Sequence, residues 1–210
     1  RVWGFTSLTQ RKGFGMRKVV LAVVLVLMAG GAQAVTLDVV GGQLMGASDV
    51  LVGGNLYDVQ FLDGTCADLY SGCDAVSDFT FQTQASATLA SQALLDQVFL
   101  DATGLFDSQP ELTRGCGALI ECGASTPFLV PGGSSSWVNG MVRARNRVPH
   151  YPGNPGLTYT DEIVFPKSHW DGYNTGADNR YVYAVWSPVP EPSTALLLGL
   201  GLGLTGLAAQ

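Results

Sequence analysis

Two apolar segments without a charged residue, one near each end of the 210-residue chain, limit what can fold between them. Residues 19–29 follow directly after Arg17 and Lys18, and residues 195–209 lie near the other end. Segments of this composition are typical of membrane-inserting stretches rather than of a water-soluble core. The sequence therefore predicts one folded domain over residues 35–187, which is long enough to form a single core.

Residues 16–34 have the layout of a secretion signal. Met16 opens a short basic stretch, and the apolar stretch 19–29 follows it. About 11 apolar residues are too few to cross a bilayer, since a spanning helix needs about 20. A retained anchor is therefore disfavoured, and we expect a signal peptide that is removed. Residues 1–15 precede Met16 and are expected to be a mis-assigned upstream extension.

The small residues at the end of this segment predict where it is cut. Ala32 and Ala34 stand in the Ala-x-Ala arrangement that signal peptidase accepts. Cleavage after Ala34 makes Val35 the first residue of the mature protein. Signal peptidase is therefore an expected partner of the chain.

Residues 188–210 differ sharply in composition from the chain before them. Pro190 and Pro192 flank Glu191, and two prolines so close together make a stiff, extended stretch. The apolar stretch 195–209 follows, with glycines that are poor helix formers in water but common in membrane helices. This order predicts an exposed motif followed by a membrane segment.

The tail resembles the PEP-CTERM sorting signal, in which a Pro-Glu-Pro motif precedes a transmembrane helix and a terminal basic cluster. In that family of Gram-negative proteins the membrane enzyme exosortase recognises the signal and passes the protein to the cell surface or exopolysaccharide. The resemblance implies recognition through Pro190, Glu191 and Pro192, and a helix over 195–209 that lies transiently in the inner membrane. The basic cluster has no counterpart before Gln210, which fits either a longer tail or a variant without it.

A second resemblance lies inside the domain. The run from residue 56 to 66, the pair Cys73 and Asp74, and residues 93–99 resemble a recurrent group of PEP-CTERM proteins. No activity is attached to that group. The resemblance therefore bears on the identity of the domain and not on its chemistry.

The charge distribution excludes one class of function. Between residues 35 and 187 there are 16 Asp and Glu but only six Arg and Lys. Nucleic-acid binding requires a basic face at the least, so no nucleic-acid partner is expected. An acidic surface of this kind suits a soluble exported domain.

Four cysteines lie in two close pairs, Cys66 with Cys73 and Cys116 with Cys122. An even number in an exported chain predicts disulfides, and four cysteines allow three pairings. Local pairing is favoured because each pair encloses a short loop that contains a glycine. A zinc site is disfavoured, since gaps of six and five residues exceed the usual spacing of zinc ligands.

Several stretches alternate apolar and polar residues with a period of two, as half-buried strands do. The clearest are residues 57–62, 78–82 and 181–186, the last apolar on both faces. Residues 88–100 lack Gly and Pro and present one broad apolar face, which predicts a helix. Residues 149–156 are predicted as a long irregular loop. The expected fold is α+β: a β-rich single domain with a mainly antiparallel sheet and one principal helix.

Arg143, Arg145 and Arg147 alternate with other residues, so a strand would place all three on one face. Planar guanidinium groups suit carboxylates and phosphates, and a uronate-bearing polysaccharide would be a natural ligand outside the cell. The alternative is the solvated side of an edge strand, where charges discourage pairing with other chains. The sequence favours this second interpretation.

No motif predicts a catalytic residue, a cofactor or a metal. His150 and His169 are the only histidines, and no His-Glu-x-x-His or Gly-x-Ser-x-Gly pattern accompanies them. Asp58, Asp63 and Asp68 lie five residues apart, which does not fit a calcium-binding loop.

These features predict an exported, exosortase-sorted surface or extracellular-matrix protein. Its expected role is non-catalytic, as a structural or adhesive component of biofilm or exopolysaccharide. The alternative is an extracellular enzyme or lectin-like binder acting on matrix polysaccharide. Hydrolysis would require two carboxylates converging on a sugar, which the sequence does not mark.

Overall fold

The structure, a computed structural model, describes residues 34–102, 104–129, 139–165 and 173–190. Strands dominate this part of the chain, as the alternating sequence pattern predicts. The strands are β1 (Thr36–Val40), β2 (Gln43–Val52), β3 (Asn55–Leu62), β4 (Glu121–Leu129), β5 (Asn139–Arg147), β6 (His150–Tyr151), β7 (Asn154–Thr158), β8 (Glu162–Val164) and β9 (Tyr181–Pro188). The helices are α1 (Cys66–Leu69), α2 (Gln84–Gln97) and three single-turn 3-10 helices at Val76–Asp78, Pro110–Leu112 and Thr175–Ala177.

Seven strands form one sheet in the order β1-β2-β3-β9-β4-β5-β8. All neighbours run antiparallel except β4 and β9, which pair in parallel from Gly123↔Tyr181 to Ser125↔Tyr183. The central strand β9 is apolar on both faces because it is covered on both. The α+β prediction, with a mainly antiparallel sheet and one principal helix, is confirmed.

The main core lies between α2 and one face of the sheet. Ala87, Ala90 and Leu94 of the helix are fully buried there. The two alanines let the helix backbone approach the sheet closely, and the Ser91 hydroxyl donates to the Val142 carbonyl of β5 at 3.3 Å. Phe99, just beyond the helix, stacks on another core aromatic ring at 5.5 Å.

Helix α2 begins four residues earlier than the sequence predicts. Thr83 is its N-cap: the Thr83 hydroxyl accepts from the Ser86 N–H, and the Ser86 hydroxyl accepts from the Thr83 N–H, both at 3.2 Å. This reciprocal cap satisfies two backbone donors that a helix start leaves free. The first turn is rich in small residues and shows no apolar periodicity, so only its cap marks it.

A second, smaller core covers the opposite face of the sheet. It contains the Cys66–Cys73 disulfide, Tyr70 and Phe79, and the Tyr70 hydroxyl donates to the Ala184 carbonyl at 3.0 Å. The predicted strand at residues 78–82 is wrong, because Asp78 ends a 3-10 helix and residues 79–82 form the loop after it. Its aromatic rings are buried nonetheless, in the two different cores.

The predicted irregular loop at residues 149–156 is also wrong. Here β6 and β7 form a hairpin whose turn contains Pro152 and Gly153. Gly153 has a φ of 86°, a conformation that glycine adopts without strain. A Pro-Gly turn between two short strands therefore explains the composition that indicated a loop.

Both disulfides join cysteines that are close in sequence, seven and six positions apart. Cys66 bonds to Cys73 and Cys116 to Cys122, which is the local pairing that the sequence favours. All four cysteines are buried. Paired, buried cysteines indicate an oxidising compartment, periplasmic or extracellular.

Within the described ranges no helix is long and apolar enough to cross a membrane. The predicted signal peptide up to residue 33 and the predicted membrane helix 195–209 lie outside those ranges.

Candidate functional site

The three arginines singled out by the sequence lie on β5 and share one of its faces. β5 pairs with β4 on one side and, over Arg143 to Arg145, with β8 on the other. The interpretation as an edge strand is therefore wrong, because β5 lies inside the sheet. The alternate residues Val142 and Ala144 belong to the main core, so the arginine face is turned away from α2.

Arg143 is the buried member of the three, with 4% of its surface exposed. Its Nε donates to the Ser125 hydroxyl at 3.1 Å, and its guanidinium carbon lies 3.8 Å from the centroid of the Tyr181 ring. Burial lowers the pKa of Arg143, and the neighbouring Tyr181 opposes that shift. None of the ion pairs among the described residues includes Arg143. The aromatic ring and the hydroxyl, with the Met141 sulfur at 3.9 Å from Nη2, therefore contact this cation.

Gly123 on β4 makes the stacking of Arg143 on Tyr181 possible. A Cβ at position 123 would lie 2.5 Å from Arg143 Cδ and 2.8 Å from Tyr181 Cδ1. Both separations are well below the ~3.5 Å at which carbon atoms begin to repel. Because Gly123 has no side chain, the aliphatic part of Arg143 can cross β4 and reach the Tyr181 ring.

Arg145 and Arg147 are bound into a four-residue ion network. Glu162 Oε1 accepts from Arg145 Nη1 at 2.7 Å and from Arg147 Nη1 at 3.4 Å. Glu121 Oε2 lies 3.7 Å from the Nε of each arginine. Glu121 is buried and Glu162 is exposed. Two cations and two anions balance, so these guanidinium groups already have carboxylate partners.

The hairpin of β6 and β7 adds aromatic rings beside this network. The Arg147 guanidinium lies 4.3 Å from the Tyr159 ring centroid, and Tyr151 packs edge-on against Tyr159 at 6.2 Å. The Arg147 N–H donates to Asp161 Oδ1 at 2.8 Å. Burial raises the pKa of Asp161 to about 6, although the hydrogen bond from Arg147 N–H lowers it. The nearby charge of Asp107 adds to the rise.

A separate polar group lies beyond Tyr181. The Tyr173 hydroxyl donates to Asp178 Oδ2 at 3.0 Å, and the Arg180 Nε donates to Asp178 Oδ1 at 3.4 Å. Burial and the bond to Asp178 raise the pKa of Tyr173 to about 12. Tyr173 therefore stays a hydrogen-bond donor throughout the physiological pH range.

On the arginine face of β5 each guanidinium group already has a partner within the protein. The guanidinium groups here stack on tyrosines, bind glutamates or donate to a serine hydroxyl. No protein-family model, curated protein or solved structure matches the chain.

A shallow cleft lies apart from the three arginines. It is lined by aromatic rings, threonines and a proline, without a carboxylate: Tyr70, Thr80, Phe81, Thr126, Pro127 and Trp186.

The predicted sorting motif begins at the last described residue, Pro190. Pro190 is exposed and follows β9 by two residues. Glu191 and Pro192 lie outside the described residues. The motif therefore begins directly where the sheet ends.

The structure describes only part of the predicted cleavage site and one of the two histidines. Ala34 and Val35 directly precede β1, and Val35 packs against the main core, whereas Ala32 lies outside the described residues. His150 is exposed on β6, and His169 lies outside. Within the described ranges no group of three or more His, Cys, Asp or Glu is placed to hold a metal ion.

The partners of the arginines are not evident from the sequence. Glu121 and Glu162 come from strands on either side of β5, and Tyr181 comes from β9. The one available signal is the apolar alternation of β9, which places Tyr181 on a defined face. Nothing local connects that face with the arginines.

Proposed function

We propose that the chain is exported, cut by signal peptidase after Ala34, and sorted through its Pro-Glu-Pro tail by exosortase. Its mature domain serves on the cell surface or in the extracellular matrix. The role is non-catalytic, as a structural or adhesive component of exopolysaccharide or biofilm.

The position of the folded domain between the two predicted signals carries this proposal. β1 begins at Thr36, two residues after Ala34, and β9 ends at Pro188, two residues before Pro190. A domain that fills the span from cleavage site to sorting motif fits a chain whose ends are transport signals. Its two buried disulfides fit an oxidising destination.

The paired charges support a non-catalytic role over the enzyme alternative. A glycoside hydrolase needs one carboxylic acid with a raised pKa and a second carboxylate facing the sugar. Glu121 and Glu162 are instead bound to Arg145 and Arg147. Each of these carboxylates is paired with both guanidinium groups, which suits a structural role rather than contact with a sugar.

Intact mass of the protein from cells with and without exosortase tests the proposal. In normal cells we expect a chain that begins at Val35 and lacks residues 195–209. Without exosortase the chain is expected to begin at Val35 and keep those residues. A mature form that keeps them in normal cells would mean that the tail is a simple anchor, and a form that keeps residues 16–34 would refute cleavage.

A further inference from the structure

Both ends of the folded domain lie at the same end of the sheet. β1 starts at Thr36, which pairs with Ser48, and runs away from the β2–β3 turn. β9 finishes at Pro188, which pairs with Tyr57, and runs towards that turn. Because paired residues lie at the same level in a sheet, the chain enters and leaves the domain at matching levels.

The two exit points are also close together across the sheet. β1 and β9 are separated by β2 and β3, which makes three steps between neighbouring strands. At about 4.8 Å per step, the exit points lie about 14 Å apart. A membrane that holds the tail therefore faces one end of the sheet, the end that carries the β2–β3 turn.

That end projects an uncharged, partly apolar surface beyond the exit points. The β2–β3 tip, defined here as residues 50–56, contains no charged residue. Leu51 of the tip is 51% exposed, and Leu89 of α2 is 54% exposed. A Cβ at Gly53 would lie 3.8 Å from Leu89 Cδ1, so Leu89 is next to the turn.

The length of chain between the domain and the tail limits how far the tip can stand from a bilayer. Four residues lie between Pro190 and Ala195, and the five steps of an extended chain from one to the other span at most about 17 Å. The polar region of each leaflet occupies about 5–8 Å of that distance. The tip extends past the level of Pro188, so it lies on the side of the described domain that faces a bilayer holding the tail.

We propose that the β2–β3 tip lies at the membrane-facing end of the domain and that Leu51 and Leu89 contact the lipid surface while the tail is inserted. This inference rests on the proposed membrane insertion of residues 195–209. Asp49 and Asp58 lie on either side of the tip along the chain, and Asp96 of α2 precedes Gln97, whose side chain bonds Leu51. The surface therefore fits neutral, zwitterionic lipid rather than anionic lipid.

The test uses the full chain in phosphatidylcholine vesicles with one fluorescent label. A label at L51C reports on the tip, and a label at V40C is the matched control. Val40 is also exposed and apolar, at 62%, but it pairs with Gln43 at the other end of β2, about 26 Å from Leu51 at the rise of a strand. Nitroxide-bearing lipids quench a label that lies at the lipid surface, and flotation of the vesicles measures insertion.

We expect the chain to float with the vesicles, the label at position 51 to lose emission, and the label at position 40 to keep it. Flotation without selective quenching at position 51 overturns the orientation and leaves the proposed tail intact. Quenching that strengthens when anionic lipid is added contradicts the neutral contact surface. A chain that does not float refutes the membrane tail and, with it, the orientation.

Discussion

Adding one methyl group at Gly123 tests whether the arginine face is packed as described. In G123A the new Cβ would overlap Arg143 Cδ and Tyr181 Cδ1, at 2.5 Å and 2.8 Å. Overpacking of this kind costs about 1–3 kcal/mol. Replacing glycine also lowers the conformational entropy of the unfolded chain, which stabilises the folded state by about 0.5–1 kcal/mol. We expect a net loss of about 1–2 kcal/mol in the free energy of unfolding.

Urea unfolding of the disulfide-intact chain, followed by circular dichroism, measures this loss. The matched control is G117A, because a Cβ at Gly117 would make only an ordinary contact at 3.7 Å and its change should stay within about 0.5 kcal/mol. The double variant G123A/R143A removes one of the two overlapping groups, so its loss should be smaller than the sum of the single losses. A G123A chain as stable as the wild type, or strictly additive losses, would refute the packing.

Three further outcomes follow from other contacts. The pKa of about 6 for Asp161 means that the folded state binds this proton more tightly than the unfolded state, so stability should rise as pH falls from about 6 to 4, and D161N should flatten that rise in melting temperature. Removing the Cys66–Cys73 bridge by double alanine substitution should cost about 2–3 kcal/mol in thermal unfolding, since its loop is short. Q97A should lose about 1 kcal/mol and speed hydrogen exchange at Leu51, because the Gln97 amide bonds both the N–H and the carbonyl of Leu51.

Sequence patterns predicted those elements whose burial is simple. β9 is covered on both faces, so its unbroken apolar run identified it as a buried strand. The same alternation at Phe79 and Phe81 misled, because a loop that passes from one core to the other buries both rings, whereas a strand would have placed them on one face. Periodicity reports alternating burial, and a strand is only the commonest way to produce it.

The candidate site was predictable only in part for a topological reason. Alternation along one strand correctly placed Arg143, Arg145 and Arg147 on one face. Whether that strand is internal depends on β8, which is three residues long and leaves almost no pattern. The edge-strand interpretation failed at this point, because the pairing of β5 is decided by a distant segment rather than by its own sequence.

The internal position of β5 changes what a ligand test of the arginines can mean. Glu121 is buried, so replacing Arg145 or Arg147 alone leaves a carboxylate short of its cation, which destabilises the sheet face irrespective of any ligand. Loss of polysaccharide retention in such a variant would therefore report folding as much as binding. A balanced variant, R145Q with E162Q, removes one charge of each sign from the network. An anionic ligand would be assigned to this face only if this variant is retained less by the polysaccharide while its urea-unfolding midpoint is unchanged.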